Sequence, residues 1–335
     1  MTTTLPADTA SPKARGGLTL ARLFSLLPYF GVALLVGVTI YFSIRSDVFF
    51  TVDNILNIIV QGSVVAIASF GFVFVVITGG DDVVRGGIDL SSGAIMGLTG
   101  GVTALLVSVG AGIPVAVIAG LGAALAVGML NSFGVLLGIR PLLVTLAVGG
   151  IASSADLVFT NNTQIRVSDE FFVWLRDGNV VGLPVPVVVL VVVFAAMWFV
   201  MNKTSIGVRS YAVGGHDVAA RVAGINPGRY VFASYLVSAL TAGIAGLIIV
   251  ARLSGSTPGV GALMLMDVLL AAFMSVIFSR RLVPNLWGAL ASAIFIAVLN
   301  NGFTLVNVPN YWVSGVKGVL ILVVVSISAL RARRS

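Results

Sequence analysis

Few side chains in the apolar stretches of this 335-residue chain could do chemistry. Asp156 and Asp267 lie inside such stretches, and Lys317 stands near the boundary of another. Carboxylates held within a bilayer bind protons or sodium in ion-coupled carriers, but this pair offers little for such coupling. Asp89 comes after Gly87 and Ile88 and before Ser91 and Ser92. A helix begins there, and its dipole favours a carboxylate. Capping is the preferred reading, with solute contact as the alternative. Asn57, Gln61, Asn300 and Asn301 fall in or at the ends of apolar runs. Amides in that setting bond neighbouring helices, or line a hydrophilic path for a hydroxylated solute because they both donate and accept. Both readings stand.

Other chemistries are excluded by what the chain lacks. There is no cysteine and a single histidine, His216, which removes disulfides, thiolate metal sites and thiol nucleophiles and leaves a histidine metal site without a second imidazole. No G-x-x-x-x-G-K-[ST] phosphate loop occurs, so ATP is not hydrolysed by that route. H-E-x-x-H and G-x-S-x-G are also missing, so an intramembrane protease or transferase has no visible machinery. Any transport must therefore draw its energy from elsewhere.

The elements that position these residues follow from composition. With 58% hydrophobic residues, 9% charged and a mean hydropathy of +1.11, the chain is an all-α, polytopic integral membrane protein rather than a soluble domain. Taking about 20 apolar residues per crossing, ten spans are expected, near 23–44, 55–78, 91–109, 114–138, 141–160, 183–201, 229–250, 263–279, 284–305 and 311–330. Those near 91 and 263 are short and rich in small residues, as broken or re-entrant helices are. Residues 1–22 read as a disordered cytoplasmic tail without a cleavable signal, 23–330 as the transmembrane domain, and 331–335 as a basic cytoplasmic tail. Most of the 19 basic residues then fall on one side, including Lys203, Arg209, Arg221, Arg229, Arg280 and Arg281, against Arg45, Arg166, Arg176, Arg252 and Lys317 on the other. The positive-inside rule places both ends in the cytoplasm. The net charge of +7 is scattered over short loops, which fits topology and not nucleic-acid binding. On the outer face, Asp169–Leu175 reads as a short amphipathic piece with Phe171, Phe172 and Trp174 at headgroup level.

One polar stretch stands apart. The cytoplasmic loop 202–228 contains residues His216 to Ala223 as a short helix, with Gly214 and Gly215 making the turn in, Asp217 as a possible cap, Gly224 after the last turn and Pro227 beyond. Such a helix is about 12 Å long and too short to stand alone in water. It needs a partner surface. Val218 and Val222, at i and i+4, give it one apolar strip.

Four stretches carry a resemblance. They are Asn54-Ile55-Leu56-Asn57-Ile58 with Gln61; Gly87-Ile88-Asp89-Leu90-Ser91-Ser92-Gly93; the T-x-x-G-x-R and G-G-x-x-x-A-A-R-x-x-G-I patterns between Thr204 and Ile225; and Ala251-Arg252-Leu253-Ser254 with Leu299-Asn300-Asn301-Gly302. Together, from about residue 50 to the end, the chain resembles permease subunits of ATP-binding cassette importers for sugars and related small polar solutes, the ribose permease group. Two departures stand out. Asp81–Gly86 interrupts the family's T-G-G-I-D-L-S, and Met274–Leu282 replaces a glycine-rich run.

The resemblance implies that the loop helix couples to a separate ATPase through Gly214, Gly215, Asp217, Val218, Ala219, Ala220, Arg221, Val222, Gly224 and Ile225. It further implies that ATP binds that partner and not this chain, that an external solute-binding protein delivers the ligand, and that a second permease chain, identical or different, completes the membrane unit. Asn57, Gln61, Asp89, Asn300 and Asn301 are the candidates for the translocation path. Branched-chain amino acids, nucleosides or a signalling molecule are the alternative solutes. An autonomous secondary carrier is the rival of another class, with an intramembrane enzyme third.

Overall fold

The computed structural model describes residues 17–80, 87–279 and 283–332. Outside them lie the tail at 1–16, the inserted stretch 81–86 with Arg85, the residues 280–282 with both arginines, and 333–335. In chain order the elements are α1 (Gly17–Arg45), α2 (Val52–Gly79), α3 (Ser92–Ser108), α4 (Ile113–Leu136), α5 (Pro141–Phe159), β1 (Ile165–Arg166), α6 (Glu170–Asp177), β2 (Asn179–Val180), β3 (Leu183–Pro184), α7 (Val185–Lys203), α8 (Ser205–Gly215), α9 (Asp217–Val222), α10 (Pro227–Leu253), β4 (Gly255–Ser256), α11 (Val260–Met274), α12 (Leu286–Leu305) and α13 (Asn310–Ala332).

The helices other than α6, α8 and α9 fall on the expected spans. Six of them, α2, α4, α5, α7, α10 and α12, are long and apolar enough to cross a membrane, and shorter apolar stretches occur in α1, α3, α11 and α13. Helix α1 already begins at Gly17, so the expected tail through residue 22 overlaps its first turns.

Helix α2 is the hub. Its apolar residues surround the whole helix and it is buried almost continuously from Gly62 to Thr78, as a helix without a polar face must be. Helices α10, α12, α11, α7 and α8 pack around it. In a bilayer the lipid is as apolar as leucine, so close helix contact relies on small residues. Gly71 serves that purpose: a Cβ there would lie 2.1 Å from Thr241 Oγ1 and 2.5 Å from Ser238 Cα. Helix α10 thus lies backbone to backbone on α2.

The two short helices are set into this core. Helix α3 begins part-way along α10, with Met96 against Gly246, and its first turn meets that of α11, where Gly93 and Gly261 approach each other's carbonyls. With 17 and 15 residues, α3 and α11 are about 25 and 22 Å long, shorter than a hydrocarbon core of about 30 Å.

At the far end from α8, β1 pairs with β4, joining Ile165 to Ser256 and Arg166 to Gly255. Helix α6 is capped by Asp169, which accepts the Phe171 amide at 2.9 Å. Its Phe172 and Leu175 are buried, together with Val167, Val250 and Ala251. Phe172 is therefore a core residue and not a headgroup contact as expected, since the 3.6 period turns it inward, while Phe171 and Trp174 stay exposed.

Candidate functional site

The polar loop folds into two helices, α8 and α9, rather than one. Thr204 begins α8, its hydroxyl accepting the Ile206 amide at 3.2 Å. Gly214 and Gly215 are the last residues of α8 and not a turn. The chain turns instead at His216, whose backbone is extended and whose Nδ1 accepts the Ala219 amide at 3.2 Å. His216 is thus the cap expected of Asp217. Asp217 occupies the first turn of α9, where a carboxylate suits the dipole, and lies 3.9 Å from Arg221, both side chains being exposed.

Helix α9 ends in a Schellman arrangement. The Ile225 amide donates to the Ala220 carbonyl at 2.9 Å and the Gly224 amide to that of Arg221 at 3.0 Å. Gly224 adopts φ +78°, the left-handed position that glycine takes without cost. Asn226 then caps α10, accepting the Gly228 amide at 3.1 Å.

The expected coupling residues divide by exposure. Val218 and Val222 stand out at 57% and 86% exposed, with Gly215, Asp217, Ala219, Arg221 and Gly224 also exposed. Ala220 is buried at 4%, Ile225 is half-buried, and Gly214 is pressed on α2, where a Cβ would meet the Ile77 carbonyl oxygen at 1.9 Å. Ala220 and Gly214 thus face their own chain. A cavity of about 930 Å³ opens beneath, lined by Thr78, Gly79, Leu136, Tyr211, His216, Arg221 and Tyr235 among others.

A second set of polar residues lies inside the bundle. Asp89 is fully buried. Its Oδ1 accepts the Ser91 amide at 3.0 Å and the Ser91 hydroxyl at 2.5 Å, and its Oδ2 accepts the Ser238 hydroxyl at 2.7 Å. Asn131 of α4 donates to Ser91 Oγ at 2.6 Å. Asp89 therefore ties the start of α3 to α10 and, through Ser91, to α4, and its carboxylate accepts the Ser91 amide at the entry to α3, as a capping carboxylate does.

Asn301 is likewise engaged. It and Asn54 exchange amide hydrogen bonds at 2.8 and 3.1 Å, joining α12 to α2. Asn300 donates to Asp267 Oδ2 at 3.0 Å, and Lys317 lies 2.6 Å from Asp267 Oδ1 with the two side chains 12% and 2% exposed. Helices α11, α12 and α13 meet at this cluster. Of the expected path residues, Asn57 is exposed and Gln61 half-buried, with Gln61 donating to Asn57 at 3.3 Å. Sequence reading missed Ser238, Asn131 and the pairing of Asp267 with Lys317. The available signal was the opposite charge of two ionisable residues in apolar helices, which demands a partner.

Residues 54–325 match the family model described as "Branched-chain amino acid transport system / permease component". The chain belongs to this permease family. Similar proteins include the ribose import permease of Escherichia coli (strain K12), 34% identical over 299 residues, covering 88% of this chain and 91% of that protein. The ribose import permease of Bacillus subtilis (strain 168) is 31% identical, covering 89% and 90%. The D-allose transport system permease of Escherichia coli (strain K12) is 29% identical, covering 88% of each. No solved structure shows a significant match. The permease is thus a multi-pass membrane protein and a transport component rather than an enzyme.

The two departures from the family pattern find their places in the permease. Gly87 lies on the end of α2, where a Cβ would sit 2.1 Å from the Val75 carbonyl oxygen and 3.1 Å from Gly79 Cα. The chain re-enters beside the point where it left, so an insertion there leaves Gly87-Ile88-Asp89-Leu90-Ser91 in place. In the segment from 274, Met274, Ser275 and Ile277 are buried. Close approach is supplied by the partners instead: Gly288 against the Ser275 carbonyl, with 2.2 Å for a Cβ, and Gly31 against Ile277 and Phe278.

Proposed function

We propose that this permease forms the membrane path of an ATP-driven importer for a sugar or related small polar solute, with α9 as the docking point for an ATP-binding cassette ATPase on the cytoplasmic side. An external binding protein delivers the solute, a second permease chain completes the unit, and both termini are cytoplasmic. ATP binds the partner, and this chain needs no cofactor of its own. The observation that carries the reading is the exposure of Val218 and Val222 on a six-residue helix that is about 9 Å long. Exposing two valines on so short a helix is unfavourable in water and is relieved by a partner groove. Asp217 and Arg221 flank the valines and can contact a polar rim. The path is assigned to Asn57, Gln61 and Asn300, which keep exposure or partial exposure in apolar helices. Ribose and allose are the solutes of the relatives, which favours a sugar; the description of the family model favours branched-chain amino acids as the second reading.

The test is co-purification with the cognate ATPase. Val222→Asp changes only an exposed side chain, so the permease should fold normally yet lose the ATPase and its stimulated ATP hydrolysis. Ala220→Arg is a poor probe, because that site is filled by the chain itself. Retention of the ATPase at parent level by both Val218→Asp and Val222→Asp would refute the docking assignment.

A further inference from the structure

Three carboxyl groups are buried in the bundle, those of Asp89, Asp156 and Asp267. Asp89 is met by Ser91 and Ser238, and Asp267 by Lys317 and Asn300. Asp156 stands alone. It is 4% exposed, and among the described residues its carboxyl group forms no hydrogen bond and no ion pair, although Oδ1 is covered. Helix α3 makes the room for it with Gly97 and Gly101, one turn apart. A Cβ on Gly101 would run into Oδ1, and one on Gly97 would come within 3.1 Å of Oδ2. Glycine at both positions leaves a slot in the seam between α3 and α5 where side chains would otherwise meet.

The slot supplies no charge. Helices α3 and α4, which pack against α5, contain no titratable or charged residue, and α5 has none besides Asp156. Around α3 stand Arg166 of β1, Asp267 of α11, and Arg229, Tyr230, Tyr235 and Arg252 of α10, none of which bonds to Asp156. Among the described residues no carboxylate or histidine joins Asp156 in a metal-binding group. An ionised carboxylate without a partner is strongly disfavoured among apolar helices, whereas an undissociated acid is a small neutral group that the slot can hold. We propose that Asp156 is a proton-binding site: its carboxylate takes up one proton, forming an O–H bond, as α5 closes on α3. When the two helices separate, the proton passes to water at the end of the bundle that carries β1 and β4, one turn beyond Asp156. Closure of the α3–α5 seam is thereby linked to proton uptake, and alkaline conditions favour the separated form. The docking reading for α9 is independent of this site.

Infrared spectroscopy of the full chain in lipid at neutral pH reads the site directly, through the carbonyl stretch of an undissociated carboxyl group, which moves in heavy water. The parent should show such a band. Asp156→Asn, whose amide mimics the neutral acid, should fold and lack it. Thermal unfolding gives a second readout. In the unfolded chain an aspartate releases its proton above about pH 3.9, so folding takes up a proton at Asp156, and that contribution to stability is lost as pH rises. The unfolding midpoint of Asp156→Asn minus that of the parent should therefore grow between about pH 4 and about pH 7, a trend that a change in packing alone does not produce. Groups common to both chains cancel in the difference. Identical infrared bands in the parent and Asp156→Asn would mean an ionised carboxylate neutralised by a cation, and would overturn the proton site. A midpoint difference that is flat or shrinks as pH rises would overturn it too, as would failure of Asp156→Asn to fold.

Discussion

At the residue scale, the informative side chains are polar groups held inside an apolar bundle. Asp267 and Lys317 are 2.6 Å apart and almost wholly buried, with Asn300 on the second carboxylate oxygen. Removing one member of such a pair leaves an uncompensated charge, at a cost of about 3–5 kcal/mol, whereas replacing both by apolar residues of similar volume is often close to neutral. Lys317→Met alone should therefore lower the unfolding temperature in detergent, and Asp267→Leu added to it should restore much of the loss. No recovery in the double variant would show that the pair holds something other than α11 against α13. The sequence identified these residues as rare ionisable groups but could not pair positions so far apart. Asp156 is buried at 4% exposure against Gly97 and Gly101 of α3.

At the element scale, helix positions were legible because long apolar runs are a strong signal, while contacts between helices were not. Gly71 is one glycine among 39 in the sequence, yet it alone lets α10 reach α2 at Thr241 and Ser238. Gly71→Ala should destabilise the permease by about 1–3 kcal/mol or more, the range for overpacking a tight core, measured as loss of folded protein on heating. Gly110→Ala is not an equivalent control, since Gly110 has φ +77°; Gly122, with open space around its Cβ, is the neutral comparison. Helix α6 offers a pH test. Its Asp177 carboxyl is held below the usual carboxylate range by hydrogen bonds from Arg176, which in turn bonds Ser254 at the end of α10. A depressed carboxylate stabilises the fold above its unfolded pKa, and that contribution is lost as pH falls through the folded value. Hydrogen-exchange protection factors in α6, corrected for the intrinsic pH dependence of amide exchange, should thus hold from neutral pH down to about pH 5 and fall only below the ordinary aspartate value of about 3.9. Asp177→Asn should remove the acid-dependent step. A fall in protection already at pH 6 would point to another titrating group.

For the whole molecule, the proposed orientation rests on charge asymmetry and is open to a direct measurement. Val222 on α9 is 86% exposed and Val181, in the loop between β2 and β3, is 98% exposed. In intact cells a membrane-impermeant maleimide should label Val181→Cys at once and Val222→Cys only after the membrane is permeabilised. The reverse pattern would invert the topology and put α9 out of reach of a cytoplasmic ATPase. Class, approximate spans and the presence of a short polar helical element between spans were all determined by the sequence alone. Each depends on local composition, such as the length of an apolar run or a polar gap. Tertiary structure alone decided which residues of that element look outward. Val218 and Val222 do, while Ala220 and Gly214 turn to their own chain. It also paired Asp89 with Ser238 and Asn301 with Asn54, partners 149 and 247 residues away. The physical reason is that burial and hydrogen-bond pairing belong to neighbours in space, and in a membrane bundle those neighbours are chosen by where small residues let backbones meet.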